Sequence, residues 1–353
     1  MRFRLLAVLV VFLLPAHAVG GKEPDFDTTA PYVLLSLDYR KMAKQLQEAV
    51  ASGYTVMFSS GFDLMLGKAE PTEARHEYAF YWAPKAQNLQ QALNEAAAKG
   101  HRLPPGVFLP LGAKAILMEL HKDGELSSPH EYLILKAQSS TLQGEVCNAS
   151  GQGFRFVYSN GNTVIMEKSP GKTEEPQALS GGQPESPGSC RYLVLGARRG
   201  STIQKELDDG AARGYRVVAG SVTYGSSTGA YLSQEMVFVM EKAPAGTSID
   251  QPLYVEALSA GELEEKLRRA AALGFRAIGR TFALQGGSIP CVVMEKGTEP
   301  SAYYEYSVVA SLWKKSTVRK KVTQAVQQGF CPVGMDFQTE SMVLLEKPRR
   351  NSP

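Results

Sequence analysis

Apolar positions along this chain recur in triplets spaced i, i+4, i+7, and each triplet ends four residues before a glycine. The six sets are Met42, Leu46 and Ala49 before Gly53; Leu89, Leu93 and Ala96 before Gly100; and Leu142, Val146 and Ala149 before Gly153. They continue with Ile203, Leu207 and Gly210 before Gly214; Leu263, Leu267 and Ala270 before Gly274; and Val318, Val322 and Ala325 before Gly329. That spacing is one face of an amphipathic helix, with a small residue where the helix approaches a sheet closely. The glycine suits the left-handed position that stops a helix. An aromatic or His follows each one: Tyr54, His101, Phe154, Tyr215, Phe275 and Phe330.

Upstream of each helix a Tyr opens an apolar run, at Tyr32, Tyr78, Tyr132, Tyr192, Tyr254 and Tyr306. The near-continuous apolarity of these runs predicts first strands covered on both faces. Downstream of most glycines a further apolar run closes on Glu-Lys, as in Val164-Ile165-Met166-Glu167-Lys168 and Leu344-Leu345-Glu346-Lys347. Each unit therefore reads strand, helix, stop, strand, turn, strand. The expectation is an α+β fold of six tandem βαββ repeats with antiparallel hairpins. A unit this small is marginal alone, so neighbours must share a core. Residues 169–189, rich in Pro and Gly, read as a linker. It divides the array into two three-repeat halves, 31–168 and 190–348, with a lead at 19–30 and a tail at 349–353.

The order of Tyr-led strand, Leu-spaced helix, Gly-aromatic stop and Glu-Lys strand resembles a bacterial βαββ domain family of unknown function. Members of that family usually carry Gly-Trp-Glu at the stop; here Arg102, Arg155, Arg216 and Arg276 stand where the acidic residue would be. The resemblance covers all six units and implies the fold. It implies no catalytic residues, because the family carries none that are established.

Composition adds little until the N-terminus is separated. Arg2 and Arg4, the apolar stretch Leu5–Leu14 and Ala16-His17-Ala18 form a secretory signal peptide over 1–18, too short for a permanent membrane anchor. The whole chain has 38 basic and 35 acidic residues; removing Arg2 and Arg4 leaves 36 against 35. A near-neutral mature chain argues against nucleic acid as a partner, and no later run is long enough for a transmembrane segment. Export makes Cys147, Cys190, Cys291 and Cys331 candidates for disulfides, with chain neighbours suggesting Cys147–Cys190 and Cys291–Cys331.

Candidate chemistry is sparse. Arg155, Arg216 and Arg276 begin the second strands, and Glu167, Glu241 and Glu295 end the third. Hairpin geometry pairs those ends on the solvent face; the alternative is a row of unpaired arginines that binds an anion. Tyr224 and Tyr231, in an enlarged Ser/Thr/Gly-rich hairpin, are candidate recognition residues. His76-Glu77-Tyr78 and His130-Glu131-Tyr132 repeat one tripeptide, making His76 and His130 candidate metal ligands, though without close ligand spacing. Gly171-Lys172-Thr173 lacks the upstream glycine of a phosphate loop, and no cofactor is implied. The resulting reading is an exported, non-catalytic binding or scaffold protein of the bacterial envelope, with protein or small-ligand partners. Its rivals are a metal-dependent envelope enzyme built on the histidines, and small-ligand binding at seams between paired repeats.

Overall fold

The computed structural model describes residues 26–38, 41–61, 63–69, 77–82, 89–104, 107, 115–120, 130–136, 139–160, 163–169, 190–197, 199–225, 235–244, 246–249, 251–296, 304–312, 314–337 and 340–349. The expected signal peptide, residues 19–25 of the lead, the linker beyond Ser169, His76, Tyr231 and residues 350–353 lie outside them. Among the described residues there are six helices and six small antiparallel sheets, a mixed α+β architecture.

The first group is β1 (Tyr32–Ser36), α1 (Met42–Ala51), β2 (Tyr54–Ser60) and β3 (Asp63–Lys68). The second is β4 (Glu77–Trp82), α2 (Leu89–Ala97), β5 (His101–Arg102) and β6 (Ala115–Leu120). The third is β7 (Glu131–Lys136), α3 (Ser139–Gly151), β8 (Arg155–Asn160) and β9 (Thr163–Lys168). The fourth holds β10 (Tyr192–Ala197), α4 (Gly200–Ala212), β11 (Tyr215–Val217), β12 (Thr223–Gly225) and β13 (Glu235–Lys242). The fifth holds β14 (Gln251–Glu256), α5 (Ala260–Ala272), β15 (Phe275–Ala277), β16 (Ala283–Gln285) and β17 (Ile289–Lys296). The sixth is β18 (Tyr304–Leu312), α6 (Lys315–Gln327), β19 (Cys331–Phe337) and β20 (Glu340–Pro348).

In every sheet the last strand is central, as in the order β1-β3-β2, and the first strand is an edge. As expected for strands covered on both faces, β4, β7, β10, β14 and β18 each contact both the preceding helix and the helix of their own group. The runs ending in Glu-Lys are the more deeply buried, for example Val164, Ile165 and Met166, while the edge strand β7 is fully buried only at Tyr132 and Leu135. Both kinds of run are apolar, so apolarity alone did not separate them. The helix triplets are buried as the spacing requires, and all six stop glycines have φ between 84° and 90°.

The cores explain why the central strand is covered twice. Side chains alternate along a strand, so Leu64 and Leu66 of β3 pack with Met42 and Leu46 of α1, together with Phe80 and Leu117 of the second sheet. Met65 points the other way, into a cluster with Val318 and Val322 of α6 and Val343 of β20. Each of the six clusters joins one helix and its own sheet to the opposite face of the following sheet. Helices α1 to α5 contact β4, β7, β10, β14 and β18 in turn, and α6 contacts β1. The contacts thus close into a ring. Across the linker α3 meets β10 as the other helices meet their following strands.

Cys147 of α3 and Cys190 ahead of β10 are disulfide-bonded, as expected, and staple that same seam. The second expected bridge is absent: Cys291 and Cys331 are free thiols. They serve different seams. Cys291 sits in the core between the fourth and fifth groups, whereas Cys331 accepts a hydrogen bond from the Tyr32 hydroxyl between the sixth and first.

Candidate functional site

The polar residues that the sequence singled out lie mainly at seams. Arg155, Arg216 and Arg276 stand directly opposite Glu167, Glu241 and Glu295 in the strand register, as the hairpin argument requires. Two ion pairs nevertheless cross to the following sheet. Arg276 donates to Glu346 of the following sheet at 2.6 Å, and Arg102 donates to Glu167 of the following sheet at 3.1 Å. Glu167 shares a strand face with Ile165, which packs into the core built by the preceding helix, so its carboxylate meets the preceding group. Glu167 and Glu346 are buried rather than solvent-facing. With Arg276 paired and Arg155 also engaged, the row of unpaired arginines is not present; Arg216 is exposed.

The leading tyrosines close the same seams. The hydroxyls of Tyr78, Tyr132, Tyr192 and Tyr306 accept from the amides of Val56, Leu103, Phe156 and Ala277, each in the preceding group and three residues after its stop glycine. At the last seam that position is Pro332, which has no N–H, and Tyr32 turns to Cys331 instead. Tyr254 departs from the expected equivalence. Tyr78, Tyr132, Tyr192 and Tyr306 pair across the sheet with the Glu of Glu119, Glu167, Glu241 and Glu346, but Pro252 occupies that place opposite Glu295. Tyr254 lies two residues further on, beside Cys291, whose thiol is pushed up to about 12 by burial.

His130 contacts the Glu167 carboxylate already held by Arg102, and the buried His101 bonds Tyr81 at 3.1 Å. Glu131 is exposed on β7. Among the described residues no three His, Cys, Asp or Glu side chains gather as metal ligands. Tyr224 lies in β12 opposite Met236.

A second polar region was not foreseen. The second strands of their groups, β2, β8 and β19, are bulged at Val56–Phe58, Phe156–Tyr158 and Pro332–Gly334, and the chain makes an excursion between β11 and β12 and between β15 and β16. Bulges and excursions re-aim side chains, and here they bring five groups together. Ser159 N–H donates to Gly220 O at 3.3 Å, and Arg280 N–H donates to Val333 O at 2.9 Å. Leu284 N–H donates to Asp336 Oδ2 at 2.8 Å, and Phe337 N–H donates to Ser60 Oγ at 2.8 Å.

Tyr158, Gly220 and Arg280 meet there. A Cβ at Gly220 would lie 3.6 Å from the Tyr158 ring and 3.9 Å from Arg280 Cζ. Burial, and then the Asp336 carboxylate, raise the Tyr158 hydroxyl above the ordinary tyrosine range, while Arg280 lowers it. Burial lowers the Arg280 guanidinium. Gly220 and Arg280 both stand six residues after a stop glycine and both have positive φ, 74° and 62°. That shared position was the available sequence signal. Comparison of the chain with family models, curated proteins and solved structures gave no match.

Proposed function

We propose that this chain is an exported, non-catalytic binding protein of the bacterial cell envelope, built from six tandem βαββ repeats that form one ring. The observation that carries the reading is the core between α6 and the first sheet, assembled like the other five from a helix, its own sheet and the next. A linear array leaves an unpartnered face at each end; here each sheet has a helix on both faces. The recurring Tyr, Arg and Glu residues are engaged in seams, which favours a scaffold over a reacting centre. The Cys147–Cys190 bridge fits the oxidising compartment that a signal peptide over 1–18 addresses.

Fractionation of intact cells with mass measurement of the mature chain tests export. A chain beginning at Val19 outside the cytoplasm is expected, and full-length chain in the cytoplasm overturns the reading. Cross-linking in the same cells should recover a discrete envelope partner, and turnover of substrate by the purified chain would count against a non-catalytic role.

A further inference from the structure

Helix α6 carries charge of one sign. Lys314, Lys315, Arg319, Lys320 and Lys321 stand on it or directly before it, and no Asp or Glu occurs between Glu305 and Asp336. Every other helix holds at least one carboxylate; α5 sets Glu262, Glu264 and Glu265 against Lys266, Arg268 and Arg269 in ion pairs. The fold gains nothing from this excess. Lys314 and Lys315 put cations at the positive end of the helix dipole, and Lys315 and Arg319 are like charges four residues apart. Arg319 also gives up a structural bond. It stands ten residues before its stop glycine, where Gln90, Gln143, Gln204 and Glu264 accept from an amide of the following first strand. An arginine has no acceptor to offer there.

The charges lie on the outer face. Val318, Val322, Ala325 and Val326 bury the inner one and leave Lys314, Lys320 and Lys321 exposed. Lys315 is taken by Asp63 at 2.6 Å. Among the described residues no carboxylate lies within 4.0 Å of Lys314, Arg319, Lys320 or Lys321. The flanking acids are engaged elsewhere, Glu305 with Arg349 and Asp336 with the Leu284 amide. Beside this basic surface the chain also presents apolar side chains. Leu312, two residues before Lys314, is 60% exposed, and Leu258, at the strand-to-helix turn of the neighbouring fifth group, is 82% exposed. Lysines beside exposed leucines suit an anionic bilayer, whose head groups take the cations and whose interface takes the apolar side chains. A nucleic acid or an acidic polypeptide would use the cations and leave the leucines in water.

We propose that α6 and the leucine-bearing turns beside it form a docking surface for an anionic phospholipid bilayer. The inference rests on the envelope reading above and adds the membrane to it as a partner.

The test is co-sedimentation of the intact, disulfide-bonded mature chain with mixed phosphatidylglycerol–phosphatidylcholine vesicles and with vesicles of phosphatidylcholine alone. Binding to the first and not to the second is expected, weakening as salt rises. Lys314→Gln, Lys320→Gln and Lys321→Gln combined should weaken it about a hundredfold. Leu258→Ser with Leu312→Ser should weaken it at high and low salt alike, because apolar burial is not screened. Lys99→Gln, Lys205→Gln and Arg216→Gln combined remove as much charge from the second and fourth groups and should bind as the parent does. All these side chains are exposed, so urea midpoints should match the parent. Should the combined α6 variant lose stability, Lys320→Gln and Lys321→Gln taken singly carry the comparison, each weakening binding about fivefold. The proposal fails if anionic vesicles bring down no protein, if the α6 variants bind as the parent does, or if the control variant is weakened as much. It fails in favour of an acidic polypeptide if polyglutamate clears the chain from the vesicles and the leucine substitutions change nothing. An exported chain that ignores anionic vesicles overturns this surface alone. A cytoplasmic chain that binds them overturns the function reading alone.

Discussion

The Tyr132 hydroxyl accepts a hydrogen bond from the Leu103 amide at 2.9 Å, across the seam between the second and third sheets. Both groups are buried, so removing the hydroxyl strands an amide away from water. Tyr132→Phe and Tyr306→Phe should each lose about 1–3 kcal/mol of stability in urea unfolding. Tyr254→Phe should cost less, because its hydroxyl serves no amide of the preceding sheet.

Edge strands with unpaired backbone groups invite aggregation, and here helix side chains cover them. Gln204 of α4 donates to Pro252 O at 3.0 Å and accepts from the Tyr254 amide at 2.7 Å, as a neighbouring strand would. Gln143 does the same for Tyr192 and Val194, and Asn94 for both backbone groups of Tyr132. Gln204→Leu keeps the bulk and removes both bonds. Hydrogen exchange at the Tyr254 amide should accelerate, with a stability loss of about 1–2 kcal/mol.

Legibility from sequence followed the range of the interaction. The triplets Leu263, Leu267 and Ala270 and the stop at Gly274 are local, and their burial and positive φ match the pattern read from spacing. Strand rank was not local: edge and central strands carry similar apolar runs, and β9 differs from β7 in having a strand paired on each side. Tyr254 stands at nearly the distance from its stop glycine that the other leading tyrosines keep, while the residue in register with them is Pro252. Arg102 and Glu167 each fit an intra-hairpin pair equally well until the packing of neighbouring groups was known. Tyr158, Arg280 and Asp336 come from three different groups, and no periodic signal links them.

Arg276 is half-exposed while its partner Glu346 is nearly buried, so the two ends of the pair are unequal. Arg276→Ala leaves a carboxylate without its strongest donor in a poorly hydrated seam. A loss of about 1.5–3 kcal/mol is expected, the range for a hydrogen bond to a charged group. Arg216→Ala, on an exposed side chain of the equivalent position, should change stability by no more than about 0.5 kcal/mol. Paired urea curves of the two variants make the comparison.

The Cys147–Cys190 bridge joins residues 43 apart in sequence and closes a loop that contains the linker. By loop-closure entropy such a crosslink stabilises by about 4 kcal/mol. Reduction, or Cys147→Ser with Cys190→Ser, should lower the unfolding midpoint accordingly. Because α3 and β10 also share an apolar core, the reduced chain should still fold. Alkylation of the folded protein should spare Cys291, which is buried.

Alkaline pH should weaken the fold steeply. Burial pushes the Cys291 thiol from 9.0 up to about 12 and the Tyr81 hydroxyl from 10.0 up to about 12, and raises Tyr78, Tyr132, Tyr192 and Tyr306 as well. These groups are neutral when protonated, so below their unfolded values both states hold the proton and stability is unaffected. Between pH 9 and 12 the unfolded chain releases protons that the folded chain retains, and unfolding gains free energy as pH rises. Each such group contributes a slope of up to about 1.4 kcal/mol per pH unit in that window. Urea midpoints measured from pH 7 to 11 should be flat at first and then fall from about pH 9. Cys291→Ala should make the onset shallower, and the phenolate absorbance of these buried tyrosines should appear only as the chain unfolds.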